Sequence, residues 1–257
     1  MKVRFEIKQK GKSSQTPIFL VHGDEANWLL PKYLHPSIPF YIFKHMGIKE
    51  RQFPFTSLNE IARLYVKKLA AQYPKGYFIL SGYSIGGVIA YEMAQQLKST
   101  GRNFHLVLLD SKAPRLKSNY EYHNRQIRWN RSLISKIYLR YTKIIILAFY
   151  KLTNIKMSKK HFFYLRMQRY RKARRNYVIE NYDSNLTLIK TLKDNFSQPN
   201  LGWSKYVKGH IFLYTINCNH HEITTEPYIQ KLAKLLEQIQ KRYNKKRADR
   251  SISKSSS

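Results

Sequence analysis

A serine held between two glycines is the feature of this sequence that most directly indicates chemistry. Residues 82–86 read G-Y-S-I-G, a G-x-S-x-G pattern with Ser84 at its centre. A serine hydroxyl is a weak nucleophile until a base takes its proton, and that base must itself be oriented by an acid. The pattern therefore predicts nucleophilic catalysis by Ser84, provided that an imidazole and a carboxylate lie beside it.

The search for the carboxylate is short because acidic residues are scarce. Asp110 ends an apolar run at residues 105–109, which reads as a buried parallel strand. Sites in open α/β sheets form at the C-terminal edge of the strands, so Asp110 is the predicted acid. The acidic residues between Ser84 and the C-terminal histidines are Glu92, Asp110, Glu121, Glu180, Asp183 and Asp194.

Two adjacent histidines near the C-terminus are the candidates for the base. His220 and His221 follow a predicted strand and precede the last predicted helix, which places them on a loop at the same sheet edge. The chain order serine, aspartate, histidine accompanies G-x-S-x-G turns in α/β enzymes. Spacing alone does not separate His220 from His221.

The elements around these residues must form a sheet with helices on its faces. Short apolar segments alternate with helical patterns, which favours βαβ connections. Residues 57–60 read S-L-N-E, a capping box that predicts a helix start, and a second helix is expected directly after Ser84. We therefore expect an α/β fold with a mostly parallel sheet, whose strands lie at residues 3–7, 18–22, 40–43, 77–81, 105–110, 186–191 and 210–216.

Composition narrows the class of protein. The 257 residues include 47 Lys+Arg and 15 Asp+Glu, for a net charge of +32. A hydrophobic content of 43% excludes a disordered polycation, and a single cysteine excludes a disulfide scaffold and a thiolate metal cluster. Because charged residues follow Met1 directly, we expect no secretory signal. The longest apolar run is far shorter than the ~20 residues of a membrane span. We therefore expect a cytoplasmic protein that is attracted to acidic partners.

Much of the positive charge lies in an insertion and a tail. Residues 112–175 hold 19 Lys+Arg and one acid, Glu121, and read as basic helices inserted between two strands. Residues 241–257 are basic and end in serines, so they are predicted to be disordered. We expect a single domain over residues 1–240, with the insertion at about residues 112–182.

The sequence resembles the thioesterase domains of nonribosomal peptide and polyketide synthetases, which are α/β-hydrolases. The resemblance implies an acid at the position of Asp110, a base seven residues before Pro227, which selects His220, and a lid formed by the basic insertion. The sequence departs from the family where a glycine-rich turn is replaced by D-E-A at residues 24–26, and where Cys218 and Asn219 precede the histidine. The matching stretches lie at residues 17–23, 82–87, 91–94, 108–111, 201–203, 220 and 226–227.

The resemblance also implies an activity and a partner. Such an enzyme releases an acyl or peptidyl chain from a phosphopantetheinylated carrier protein through an acyl-Ser84 intermediate. The oxyanion would be bound by the backbone N–H of Ile85 and by a second N–H from Asp24 or Glu25. No metal or organic cofactor is expected, and the chain is expected to be a monomer. Because carrier proteins of this class are acidic, the basic lid would attract them.

Two other functions fit parts of the sequence. The same fold and triad could serve a serine hydrolase or acyltransferase that acts on small esters or acyl-CoA. Alternatively, the basic lid and tail could bind nucleic acid or an anionic membrane without catalysis. We expect no nucleic-acid partner, because the charge gathers in the insertion and the tail while the core places three catalytic residue types in hydrolase order. Weak association with a membrane surface stays as an alternative.

Overall fold

A seven-stranded sheet forms the centre of the molecule. The computed structural model describes residues 3, 5–22, 29–45, 57–114, 145, 148–150, 152–153, 158–193 and 198–255. The strand order is β1-β3-β2-β4-β5-β6-β7, and β1 is antiparallel to β3 while the other neighbours are parallel. The strands are β1 (Phe5–Gln9), β2 (Ile18–Val21), β3 (Phe40–Phe43), β4 (Phe78–Tyr83), β5 (Phe104–Leu109), β6 (Leu186–Thr191) and β7 (Ile211–Ile216).

The strands lie where the apolar runs predict them, with ends shifted by one or two residues. Because helices cover both faces of a parallel sheet, a strand at its centre is apolar rather than alternating, as the fully buried β2 shows. The predicted α/β-hydrolase fold with a mostly parallel sheet is confirmed.

Five helices of the described chain cover the two faces. Helix α2 begins as its capping box predicts, since Ser57 Oγ accepts a hydrogen bond of 3.1 Å from the N–H of Glu60. Helix α3 begins directly after Ser84, also as predicted. The helices are α1 (Leu30–Tyr33), α2 (Leu58–Gln72), α3 (Ile85–Lys98), α4 (Lys159–Asn176) and α5 (Tyr228–Ser255).

Alternate residues of each central strand enter two separate cores. Phe19 and Val21 pack with α2, α3 and α4 on one face of the sheet. Ile18 and Leu20, which point the other way, pack with α1 and α5 on the opposite face. The sheet is therefore held rigidly from both sides, which fixes the positions of the residues that follow its strands.

The C-terminal segment differs from its prediction. Helix α5 continues to Ser255, so residues 241–255 are helical rather than disordered. The segment contains no glycine or proline, and side chains anchor its first turn: Tyr243 Oη lies 2.7 Å from His105 Nδ1, and Asn244 Oδ1 accepts a bond of 2.8 Å from the N–H of Thr16. Charge alone was a poor guide here because lysine and arginine are good helix formers.

The predicted lid is described only in part. Helix α4 lies within residues 112–182, while residues 115–144 lie outside the described part of the chain. The division into one domain with a lid at residues 112–182 therefore stays a prediction. Among the described residues, no helix is both long and apolar enough to cross a membrane.

Candidate active site

Ser84 occupies the turn between β4 and α3. Its backbone has φ 54° and ψ −119°, a conformation that L-residues rarely adopt. Its N–H donates a hydrogen bond of 3.0 Å to the carbonyl of Leu109, which ties the turn to the neighbouring strand. The structure thus places Ser84 at the C-terminal edge of the sheet, in the strand-turn-helix setting of a nucleophile elbow.

The two glycines of the motif are required by contact. A Cβ atom at Gly82 would overlap the carbonyl oxygen of Gly86, and one at Gly86 would overlap the carbonyl oxygen of Val21. The turn is therefore so tight that β4, α3 and β2 approach one another with backbone atoms alone. This spacing explains why the sequence pattern marks the site.

Asp110 follows β5 as Ser84 follows β4. The two strands pair Tyr83 with Leu109, so the next residue of each strand leaves the sheet at the same level. Asp110 is 1% exposed, and its Oδ1 accepts a hydrogen bond of 2.9 Å from the N–H of Thr191 at the end of β6. Its Oδ2 lies 2.5 Å from His220 Nδ1.

The carboxylate of Asp110 is held in its charged form. Burial acts to raise the pKa of Asp110, but the hydrogen bonds from His220 and from Thr191, together with the attraction of the imidazole, outweigh it. The pKa of Asp110 therefore lies below its ordinary value of 3.8. A buried, ionised acceptor of this kind fixes the proton of its partner on Nδ1.

His220 connects the carboxylate to the serine. It lies on the loop between β7 and a short 3₁₀ helix at Glu222–Thr224, and its side chain is 22% exposed. Its Nε2 lies 3.0 Å from Ser84 Oγ. His221 is exposed, and its ring centre lies 5.2 Å from that of His220. The structure therefore brings together Ser84, Asp110 and His220.

Two contributors to this arrangement were not predicted from the sequence. Thr191 acts through its backbone N–H, which no side-chain pattern reveals. Tyr83 donates a hydrogen bond of 2.7 Å from its Oη to the carbonyl of His220, and its ring stacks on the imidazole. The only signal for Tyr83 in the sequence is an aromatic residue at the first variable position of the motif.

Of the three predicted oxyanion donors, Ile85 lies within the described part of the chain. Ile85 is the first residue of α3, so its backbone N–H is one of those that a helix leaves without an intrahelical partner. The positive end of the helix dipole lies at this point, which favours a developing negative charge. Asp24 and Glu25 lie outside the described residues, so their role stays a prediction.

A buried polar cluster lies at the ends of the neighbouring strands. His22, directly after β2, has Nε2 2.8 Å from Tyr65 Oη, and His45 Nδ1 lies 3.0 Å from Tyr170 Oη on α4. Burial lowers the pKa of His22 well below its ordinary value, and the charges of His45 and Arg166 lower it further. His22 is therefore neutral, and the cluster fastens α4 to the C-terminal edge of the sheet.

Metal ligands are not assembled in the described part of the chain. No three histidine, cysteine, aspartate or glutamate side chains there are grouped so that they could hold an ion. The arrangement of Ser84, His220 and Asp110 is suited to acyl transfer through a covalent serine intermediate.

Comparison with known proteins identifies the family of the chain. The family model described as thioesterase domain matches residues 29–243. An atromentin synthetase of Tapinella panuoides is 31% identical over 128 residues, which are 48% of this chain and 13% of that protein. A protein of Paxillus involutus named inactive atromentin synthetase is 38% identical over 91 residues, 34% of this chain and 10% of its own. The chain thus matches only a small part of these longer relatives.

Solved structures share the fold. A four-domain nonribosomal peptide synthetase bound to AMP and glycine superposes with a TM-score of 0.72 at 21% identity, covering 91% of this chain and 20% of that one. The thioesterase domain of NocB from the nocardicin cluster superposes with a TM-score of 0.67 at 17% identity, covering 92% and 97% of the two chains.

Proposed function

Since this chain belongs to the thioesterase domain family, we propose that it releases an acyl or peptidyl chain from a phosphopantetheinyl carrier protein by serine catalysis. The observation that carries the proposal is the continuous path from Ser84 Oγ to His220 Nε2, 3.0 Å, and from His220 Nδ1 to Asp110 Oδ2, 2.5 Å. These distances suit proton transfer from the hydroxyl to the imidazole without rearrangement.

In the first half of the reaction, Ser84 Oγ attacks the thioester carbonyl carbon while His220 Nε2 takes the hydroxyl proton. The ionised Asp110 stabilises the imidazolium and keeps its remaining proton on Nδ1. The N–H of Ile85, with a second donor from Asp24 or Glu25, binds the oxyanion, and one such donor is worth about 3 kcal/mol. The C–S bond then breaks, and the pantetheine sulfur leaves with the proton from His220.

In the second half, the acyl-Ser84 ester is cleaved. Water, or a hydroxyl or amine within the acyl chain, gives its proton to His220 Nε2 as it attacks the ester carbon. Ser84 Oγ leaves and takes that proton back, so the enzyme returns to its starting state. Hydrolysis yields a free acid, and attack from within the chain yields a ring.

An acidic carrier is the partner that the surface charge suits. On the C-terminal half of α4, Arg171, Lys172 and Arg175 are exposed, and because Arg171 and Lys172 lie four and three residues before Arg175, the three share one side of the helix. The opposite side of α4 is fastened to the sheet edge through Tyr170. An acidic domain that carries a phosphodiester-linked arm would be attracted to this region.

The proposal is tested by labelling and by discharge of a loaded carrier. A fluorophosphonate probe should label the wild type at Ser84 and leave Ser84→Ala unlabelled. Ser99→Ala is the matched control, because Ser99 lies exposed at the far end of α3 and should leave labelling unchanged. A folded wild type that is neither labelled nor able to discharge any acyl-phosphopantetheinyl carrier would refute serine catalysis and favour a binding role for the basic surface.

The same assay separates the two enzymatic functions. A carrier thioesterase should discharge the acyl-carrier faster than the same acyl group on CoA, and its preference should weaken at high salt. Equal or faster turnover of the CoA thioester would instead favour the small-substrate hydrolase.

A further inference from the structure

We propose that Tyr83 is a positioning residue that holds His220 in line with the neighbouring nucleophile. This inference rests on the proposed function, because it gives Tyr83 a part in the same reaction. Tyr83 makes two different contacts with His220. Its Oη donates a hydrogen bond of 2.7 Å to the His220 carbonyl oxygen, and its ring lies 5.0 Å from the imidazole centre with the planes only 16° apart.

His220 needs support beyond Asp110 because it lies on a loop. The bond from Asp110 restrains the ring at Nδ1, whereas the position of the loop backbone depends on other contacts, and a displacement of about 1 Å is enough to impair catalysis. The Tyr83 hydroxyl restrains that backbone at its carbonyl, and the Tyr83 ring covers one face of the imidazole. His220 is therefore restrained in three places: Asp110 holds the Nδ1 edge of the ring, the Tyr83 ring covers one face, and the Tyr83 hydroxyl holds the backbone carbonyl.

The position of Tyr83 in the sheet makes it a rigid support for His220. It is the last residue of β4, pairs with Leu109 in the sheet, and is 8% exposed among apolar side chains on the α5 face. It is also bonded directly to Ser84. Two adjacent residues at the end of a rigid strand therefore supply both the nucleophile and the support for the base, which keeps the distance from Ser84 Oγ to His220 Nε2 short.

The stacked ring also suits the charge that develops during the reaction. When His220 takes the proton of Ser84 it becomes an imidazolium, and the negative face of an aromatic ring attracts a cation. This attraction grows only as the transition state is approached, so it assists catalysis rather than substrate binding.

Two variants separate the contacts. Tyr83→Phe keeps the ring and removes the hydroxyl, and we expect kcat on the acyl-carrier to fall about 5-fold with KM unchanged, the effect of one hydrogen bond. Tyr83→Leu removes both contacts, and we expect about a 50-fold fall with the same unchanged KM. Fluorophosphonate labelling of Ser84 should slow in the same order.

Tyr91→Phe is the matched control. Tyr91 Oη also donates a hydrogen bond of 2.7 Å to a backbone carbonyl, that of Glu180, but its ring packs in the core on the opposite face of the sheet. Tyr91→Phe and Tyr83→Phe should lose similar thermal stability, whereas only Tyr83→Phe should lose kcat. A purely structural role for Tyr83 would not produce this difference.

The outcomes also distinguish this inference from the proposed function. A wild type that is labelled at Ser84 while Tyr83→Phe keeps full kcat and labelling rate overturns the role of Tyr83 and leaves serine catalysis standing. A rise in KM without a fall in kcat overturns it as well. Should Tyr83→Leu fail to fold, Tyr83→Phe alone decides, because it preserves the packed ring.

Discussion

Replacing Asp110 by asparagine changes one atom type in the site and leaves its shape intact. The asparagine carbonyl can still accept the hydrogen bond from the N–H of Thr191, which is 2.9 Å long in the native protein. Its amide nitrogen then faces His220 Nδ1, where a carboxylate oxygen lay at 2.5 Å. Because an amide donates at that position, His220 must accept at Nδ1 and carry its proton on Nε2.

The size of the effect follows from this change of tautomer. An Nε2 atom that carries a proton cannot take the one on Ser84 Oγ, 3.0 Å away, so the base is lost although every side chain stays in place. The imidazolium also loses its buried counter-charge. From the corresponding change in a serine protease triad, kcat should fall about 10,000-fold, or about 5 kcal/mol of transition-state stabilisation.

The assay is discharge of an acyl-carrier followed under single-turnover conditions, which report the chemical steps rather than release of the carrier. Asp183→Asn is the matched control. Asp183 is an exposed partner of Lys98, with 2.8 Å between Oδ2 and Nζ, so the same substitution there should leave the rate unchanged. Circular dichroism checks that both variants are folded.

The result that contradicts this reasoning is a folded Asp110→Asn protein with kcat within about 10-fold of the wild type. Such a protein would show that Asp110 does not set the tautomer of His220, and the carboxylate would then have a structural role only. A loss of similar size in Asp183→Asn would show that the assay responds to overall charge.

Three further predictions concern stability. In urea titrations, Gly86→Ala should lower the free energy of unfolding by about 3 kcal/mol, because the added Cβ overlaps the backbone of β2. The control Gly101→Ala, where φ is positive but the added Cβ meets no atom, should lower it by only about 1 kcal/mol. Tyr177→Phe should lower it by about 2 kcal/mol, since the buried Glu92 carboxylate loses a 2.6 Å hydrogen bond; an unchanged unfolding midpoint would contradict this. Because the pKa of Asp110 is lowered on folding, its carboxylate stabilises the protein above the unfolded pKa, and this contribution is lost as the pH falls through the folded pKa. As the pH is lowered past 3.8, the ordinary pKa of the carboxyl, the free energy of unfolding should therefore fall less steeply in Asp110→Asn than in the wild type. Parallel curves for the two proteins would contradict this.

Local patterns in the sequence were sufficient to predict the strands, the helix starts and the turn that position the site. Strand positions follow from apolar runs, and the start of α2 follows from a serine that accepts the N–H of Glu60. The turn at Ser84 is marked by glycines because only a residue without a side chain fits there. Asp110 could be selected because acids are scarce and one of them ends a buried strand.

Charge and composition were poor predictors of order in the C-terminal segment. They predicted disorder over residues 241–257, but the interactions of Tyr243 and Asn244 join α5 to residues 105 and 15–16. Contacts between residues so far apart in the chain leave no periodic signal, and they decide whether a segment with moderate helix propensity is ordered.

What the sequence determined by itself was therefore the set of elements and the residues at their ends, since these depend on sterics and periodicity within a few residues. What only the tertiary structure decided was how the loop after β7 meets the ends of β4 and β5: which histidine nitrogen faces Ser84, which backbone N–H binds Asp110, and that Tyr83 stacks on His220. These contacts join residues 110 to 137 positions apart or lie between neighbouring strands, so they arise from the packing of the whole sheet.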